Sequence, residues 1–156
     1  MARVIAGAAA ADFTLDSADG ERFRLSDLLA RSAVVLILNR GFLCPFCKRH
    51  MIRLRRAYPE FVRRGAEILV IAPERPEDFR RHWVHLKLPF PGLPDPARIV
   101  LDRYGQSASL LSLGRLPAQF VIARSGEVLF ARYGRTMADI APNRDLLEAL
   151  DRSATG

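Results

Sequence analysis

The apolar residues of this chain change their period several times, and each change predicts a new element. Ala33–Leu38 reads AVVLIL, a continuous aliphatic run rich in β-branched residues. A strand apolar on both faces is one buried between two layers, so this run predicts a central strand covered by helices. After Cys44 the spacing becomes helical, with Met51, Leu54, Tyr58, Phe61 and Val62 on one stripe. Pro45 suits the first turn of that helix, where a missing N–H costs nothing. Pro59 predicts a kink or restart at Tyr58. Gly65 closes the helix, and AEILVIAP (66–73) predicts a second buried strand. Strand, helix and strand from Ala33 to Ala72 imply parallel pairing through a right-handed crossover.

Around this unit the pattern is shorter in wavelength. Residues 12–24 alternate on either side of Ser17-Ala18-Asp19-Gly20 and predict a hairpin. Ser26 fits an N-cap for a short helix over Asp27–Ala30. Residues 76–86 read as a helix, LPFPGLPDP (88–96) as a Pro-rich loop, and Ala97–Tyr104 as a further helix. Gln119–Ala123 and Val128–Tyr133, joined around Arg124-Ser125-Gly126-Glu127, predict a second hairpin. Leu146–Leu150, after Asn143-Arg144-Asp145, closes the chain as a helix. The sum is an α/β layered fold with a mixed sheet. With no repeat and no low-complexity linker, residues 1–156 are expected to form a single domain.

Composition narrows the class. At 49% hydrophobic the chain can build a sizeable core, which argues against disorder and against a disulfide-dependent mini-protein. No apolar run approaches the roughly 18 residues that cross a bilayer. The Ala-rich stretch near the N-terminus is short and runs straight into the strand-like Phe13-Thr14-Leu15, so it is not read as an export leader. A cytoplasmic protein is the expectation. The net charge is +7, and only Lys48 and Lys87 among the basic residues are lysines. Lys48, Arg49, Arg53, Arg55, Arg56, Arg63 and Arg64 fall opposite the apolar stripe of the long helix, where they form a solvated face. No nucleic-acid-binding motif accompanies them, so no nucleic-acid partner is expected.

Cys44 and Cys47 are the only cysteines and form a C-x-x-C between a buried strand and a helix. Partial positive charge and free backbone N–H groups at a helix start favour thiolate over thiol, which predicts a lowered cysteine pKa. The thiolate attacks in both disulfide exchange and peroxide reduction, and a second cysteine one turn away can resolve the first product. Two other readings compete. The thiols could be structural, or Cys44, Cys47, His50, His82 and His85 could nominally supply four zinc ligands. The histidine pair lies on a separate helix without a second cysteine pair, and no metal is expected. A c-type haem needs His after the second cysteine, where Lys48 stands. His50 lies about one turn beyond Cys47 on the same face. As an imidazolium it could support a thiolate or exchange protons with it; the alternative is a surface histidine without a role. Trp83 reads as a packing residue.

These segments together resemble the AhpC/TSA–redoxin family, the peroxiredoxins and their relatives on a thioredoxin fold. ADFTLDSADGERFRLSDL is similar to the family's N-terminal segment, with Ala11 where proline is usual. VVLILNRGFLCPFC resembles the strand and active-site loop of an RGxWCPxC subgroup, with Leu43 in place of Trp. GAEILVIAPE, LPFPGLPDP, RYG (103–105) and PAQFVIARSGEV follow in the family's order. The resemblance implies a thioredoxin-like fold, a central mixed sheet flanked by helices with an N-terminal β-hairpin. It implies that Cys44 and Cys47 are catalytic, cycling between dithiol and disulfide without a cofactor. Pro117 matches the cis-proline that faces the redox pair in such folds. Arg115, Leu116 and Pro117 thereby become candidates for the rim of the substrate site, with Arg40 and Phe46 from the active-site loop.

The departures bear on chemistry. Against the peroxiredoxin pattern P-x-x-x-T-x-x-C, Cys47 takes the peroxidatic position, Arg40 replaces the proline and Cys44 the threonine. The late-strand arginine falls where Pro117 stands, so Arg40 or Arg115 would have to supply its charge. Thioredoxins imply the opposite order, Cys44 attacking and Cys47 resolving, and the order stays open. The implied substrate is a hydroperoxide, or a protein disulfide in a disulfide reductase. The implied reductant is a thioredoxin-type protein or a low-molecular-weight thiol, and the resemblance also implies a homodimer. A redox-inert or metal-holding interaction domain is the reading from another class.

Overall fold

In the computed structural model, which describes residues 3–106, 108–109 and 114–155, a five-stranded sheet separates two apolar layers. Strand β3 (Ala33–Leu38) lies at its centre, parallel to β4 (Ala66–Ala72) and antiparallel to β8 (Ala118–Ile122). The edges are β5 (Gly92–Pro94), parallel to β4, and β9 (Val128–Tyr133), antiparallel to β8. Outside this sheet, β1 (Thr14–Asp16) pairs antiparallel with β2 (Arg22–Arg24), the expected N-terminal hairpin. β6 (Ala108–Ser109) and β7 (Gly114–Arg115) form a two-residue ribbon that the sequence pattern did not predict.

Side chains of a strand alternate between faces, and β3 has apolar residues on both. Val35 and Ile37 face the layer built by α2 (Pro45–Arg63), α3 (Pro76–Leu86) and α5 (Asn143–Thr155). Val34, Leu36 and Leu38 face the opposite layer, built by the hairpin, α1 (Leu25–Leu29) and α4 (Ile99–Arg103). Burial on both sides accounts for the uninterrupted aliphatic run. Among the described residues, no helix is long and apolar enough to cross a membrane.

Four local expectations need correction. Ser26 is not an N-cap: α1 begins one residue earlier, and the Asp12 carboxylate accepts from the Ser26 N–H at 2.9 Å. The cap therefore comes from fourteen residues upstream, which no local window can see. Pro59 does not restart the long helix at Tyr58: Pro45–Arg63 is one helix, on a buried stripe of Cys47, His50, Met51, Leu54 and Phe61. Packing of that stripe outweighs the one hydrogen bond a proline removes. The Pro-rich segment is not all loop, because Gly92–Pro94 adds an edge strand to β4, where prolines are tolerated. The peptide bond before Pro117 is trans, as are all others among the described residues. Pro117 still accepts from the Gly134 N–H at 2.8 Å, so the chain enters β8 already extended.

Gly92 sits where nothing larger fits. A Cβ there would lie 2.4 Å from Phe79 and 2.6 Å from Trp83, whose indole N–H is fixed on the Phe90 carbonyl at 2.9 Å. Gly92→Ala should lower unfolding free energy by about 1–3 kcal/mol, measured by urea denaturation. A second test concerns His50, 1% exposed on the buried stripe of α2. Burial, aided by the nearby Arg53 charge, holds its imidazole down to about 3. The unfolded chain titrates this group near its ordinary 6.5 and so binds more protons below that pH. Its contribution to stability should be complete above about pH 6.5 and fall by about 1.4 kcal/mol per unit as pH drops towards 3. His50→Leu should remove that slope from urea midpoints measured between about pH 4.5 and 7.

Candidate active site

Residues 39–44 carry the chain from the end of β3 to the start of α2. Asn39 prolongs the strand by donating its N–H to the Ile71 carbonyl at 2.8 Å. Gly41 then turns the chain at φ +150°, a conformation that side chains rarely adopt. The Cys44 N–H closes the turn on the Gly41 carbonyl at 3.3 Å. Cys44 is the N-cap of α2, with Pro45 in the first turn as expected, and its carbonyl accepts from Lys48 at 3.2 Å. Cys47 follows one turn in.

Both thiols are free, but they differ in setting. Cys44, only 2% exposed, lines an open cleft of about 560 Å³, whereas Cys47 is fully buried and does not line it. Burial pushes the Cys47 thiol up to about 12, although the backbone N–H groups of Arg40 and Gly41 donate towards its sulfur. The neighbouring Cys44 adds to the rise, and the two side chains are in hydrogen-bond contact. The expected lowering by the helix start is therefore not found at Cys47, where desolvation outweighs the helix dipole and the two donors. His50, neutral in its burial, cannot supply the positive charge expected of an imidazolium. Its Nε2 has no partner among the described residues.

The cleft brings together Cys44, Arg40 and Arg115 from the expected set. Arg115 is only 11% exposed and is held by Asp102 at 2.6 Å and by the Gln106 carbonyl at 3.2 Å. Phe46, Leu116 and Pro117 do not line it. Phe46 is half-buried on α2 with the Arg49 guanidinium 5.9 Å from its ring, and Pro117 is buried at the start of β8. The remaining wall was not anticipated. Glu74 lies just after β4, and its carboxylate accepts from the Phe42 N–H. Phe42 is buried between Phe79, 5.2 Å away edge-on, and His82, stacked at 4.9 Å. Arg75 and Asp78 complete that side. The signal for Glu74 was its place: loops after neighbouring parallel strands gather at one end of the sheet.

A thiol lining a cleft, a second thiol in contact with it and two guanidinium groups at the same cleft can carry out thiol–disulfide redox chemistry. Known proteins agree. The AhpC/TSA family model matches residues 6–131. The chain is 32% identical over 126 residues to the thiol-disulfide oxidoreductase ResA of Geobacillus kaustophilus (strain HTA426), covering 80% of this chain and 67% of that protein. It is 30% identical over 130 residues to the chloroplastic peroxiredoxin Q of Oryza sativa subsp. japonica, covering 82% of this chain and 58% of the relative. The crystal structure of peroxidoxin BcpB from Mycobacterium tuberculosis superposes with a TM-score of 0.85 at 24% identity, over 96% of this chain and 98% of the other. The chain belongs to the AhpC/TSA family and is a peroxiredoxin-like thiol oxidoreductase.

Proposed function

We propose that the protein reduces hydroperoxides, with Cys44 attacking and Cys47 resolving. The observation that carries the order is that Cys44 lines the cleft, whereas Cys47, fully buried, does not. The proton stays on Cys47 at neutral pH, because burial holds that thiol far above its ordinary value.

The Cys44 thiolate attacks one peroxide oxygen, and the O–O bond breaks. The departing oxygen takes a proton and leaves as water or alcohol, with Cys44 oxidised to the sulfenic acid. The guanidinium groups of Arg40 and Arg115 favour the negative charge that develops on that oxygen. The Cys47 sulfur then attacks the sulfenic sulfur, its proton leaves with the hydroxyl as water, and the disulfide forms. A thioredoxin-type protein or a low-molecular-weight thiol returns the disulfide to the dithiol. A reducing compartment such as the cytoplasm suits that last step.

A protein disulfide is the second substrate reading, favoured by the likeness to a thiol-disulfide oxidoreductase and by the openness of the Cys44 cleft. Insulin reduction by dithiothreitol separates the two. Acceleration well above dithiothreitol alone, with slow peroxide consumption, would replace the hydroperoxide by a disulfide.

Two mutants check the order of attack. Cys44→Ser should abolish peroxide consumption, while Cys47→Ser should react once and stop at a sulfenic acid seen by intact mass. Alkylation by iodoacetamide at neutral pH gives an independent measure. Cys44 in the Cys47→Ser protein should react at least about tenfold faster than Cys47 in the Cys44→Ser protein. The reverse ranking would make Cys47 the attacking residue.

A further inference from the structure

The turn over Cys47 is held from outside the redox loop, by a carboxylate on the next strand's exit. Glu74 Oε1 accepts the Phe42 N–H, and a Cβ on Gly41 would lie 3.4 Å from the same oxygen. The other carboxylate oxygen is 4.0 Å from His82 Nε2, and His82 stacks flat on Phe42 with 10° between the planes. Glu74 is thus placed against two consecutive residues of the turn, from a side chain only 20% exposed. The preceding N–H groups of that turn, from Arg40 and Gly41, donate towards the Cys47 sulfur.

We propose that Glu74 is a positioning residue for regeneration of the active site: by gripping the Phe42 N–H it keeps the Arg40 and Gly41 N–H groups aimed at the sulfur that must leave when the disulfide is reduced. This rests on the reading that Cys44 and Cys47 form the disulfide. An incoming thiolate attacks the Cys44 sulfur in the cleft and makes a mixed disulfide. The Cys44–Cys47 bond breaks, and its electron pair goes to Cys47 as a thiolate. The second thiol of a dithiol then displaces Cys44, leaving the reductant as its own disulfide. A leaving thiolate formed inside a dry layer has no water to receive its charge, so aligned backbone donors lower the barrier. Loosening the turn costs that alignment without touching either sulfur.

The test is the rate at which dithiothreitol reduces the oxidised protein, followed by intact mass after acid quenching. The disulfide is formed beforehand with diamide, so a protein that proves indifferent to peroxide still tests Glu74. Glu74→Ala should slow reduction roughly tenfold. Glu74→Asp keeps the charge but loses the reach and should be slowed to a similar degree. Glu74→Gln keeps an acceptor oxygen at the same reach and should stay within about twofold of the parent rate. Should Glu74→Ala not fold, the contrast between Gln and Asp carries the decision. The proposal is overturned if Asp matches the parent, if Gln is as slow as Ala, or if a folded Ala variant is reduced at the parent rate. It also falls if diamide yields no Cys44–Cys47 disulfide. A diamide-formed disulfide that obeys this ranking, in a protein inert to peroxide, would overturn the peroxide reading alone.

Discussion

A strand buried on both faces has to end, and the backbone groups beyond its end need partners before a helix can begin. That constraint governs residues 39–44. Five of these donors have partners along the turn: Asn39 on the Ile71 carbonyl, Arg40 and Gly41 both on the Cys47 sulfur, Phe42 on Glu74, and Cys44 back on Gly41. The Asn39 carbonyl takes the Gln106 side-chain amide at 3.2 Å. An unpaired backbone group in this dry setting would be costly, so the turn has few alternatives. The redox pair is built into that accounting, since one of its sulfurs is itself an acceptor for two strand-end donors.

The asymmetry between the two cysteines follows from the same turn. A helix start favours thiolate when its donors and dipole act on a sulfur that water also reaches. Cys44 is the cap residue and lines the cleft, although it is itself only 2% exposed. Cys47, three residues further on, points with the buried stripe into the layer holding Met51 and Leu54. There desolvation outweighs two backbone donors, and the thiol keeps its proton. Two residues of one motif therefore sit in different settings, one lining the cleft and one away from it, which fits different roles.

Much of the fold was legible because it rests on period. AVVLIL and AEILVIA became β3 and β4 at their expected positions, and residues 76–86 became α3 without a change of boundary. What escaped the reading depends on contacts across the chain. The cap of α1 comes from Asp12, Pro94 sits in an edge strand that no local pattern marks, and helix α2 keeps Pro59 because its stripe is packed. The site shows the same division. Cys44, Cys47, Arg40 and Arg115 could be found from spacing and resemblance. The predicted parallel pairing puts Glu74 at the same end of the sheet, but its bond to the Phe42 N–H arises only where the exit of β4 meets the exit of β3. His50 was placed on the correct face, but its full burial, and hence its neutrality, depends on the layer above it.

The charges around the cleft bear on what can enter it. A net charge of +7 suggests an attraction for anions, yet two of the arginines lining the cleft are paired with carboxylates. Arg115 is tied to Asp102, and Arg75 lies 3.6 Å from Asp78, which lines the same wall as Glu74. Further basic groups lie elsewhere, exposed on the outer face of α2 at Arg53 and Arg56. A cleft bordered by alternating charges gives an anionic substrate little advantage in binding. It suits a small neutral molecule that develops charge only as its bond breaks, because the arginines then interact more strongly with the transition state than with the ground state. A hydroperoxide is such a molecule. The electrostatics of the cleft thus favour the peroxide reading independently of family likeness.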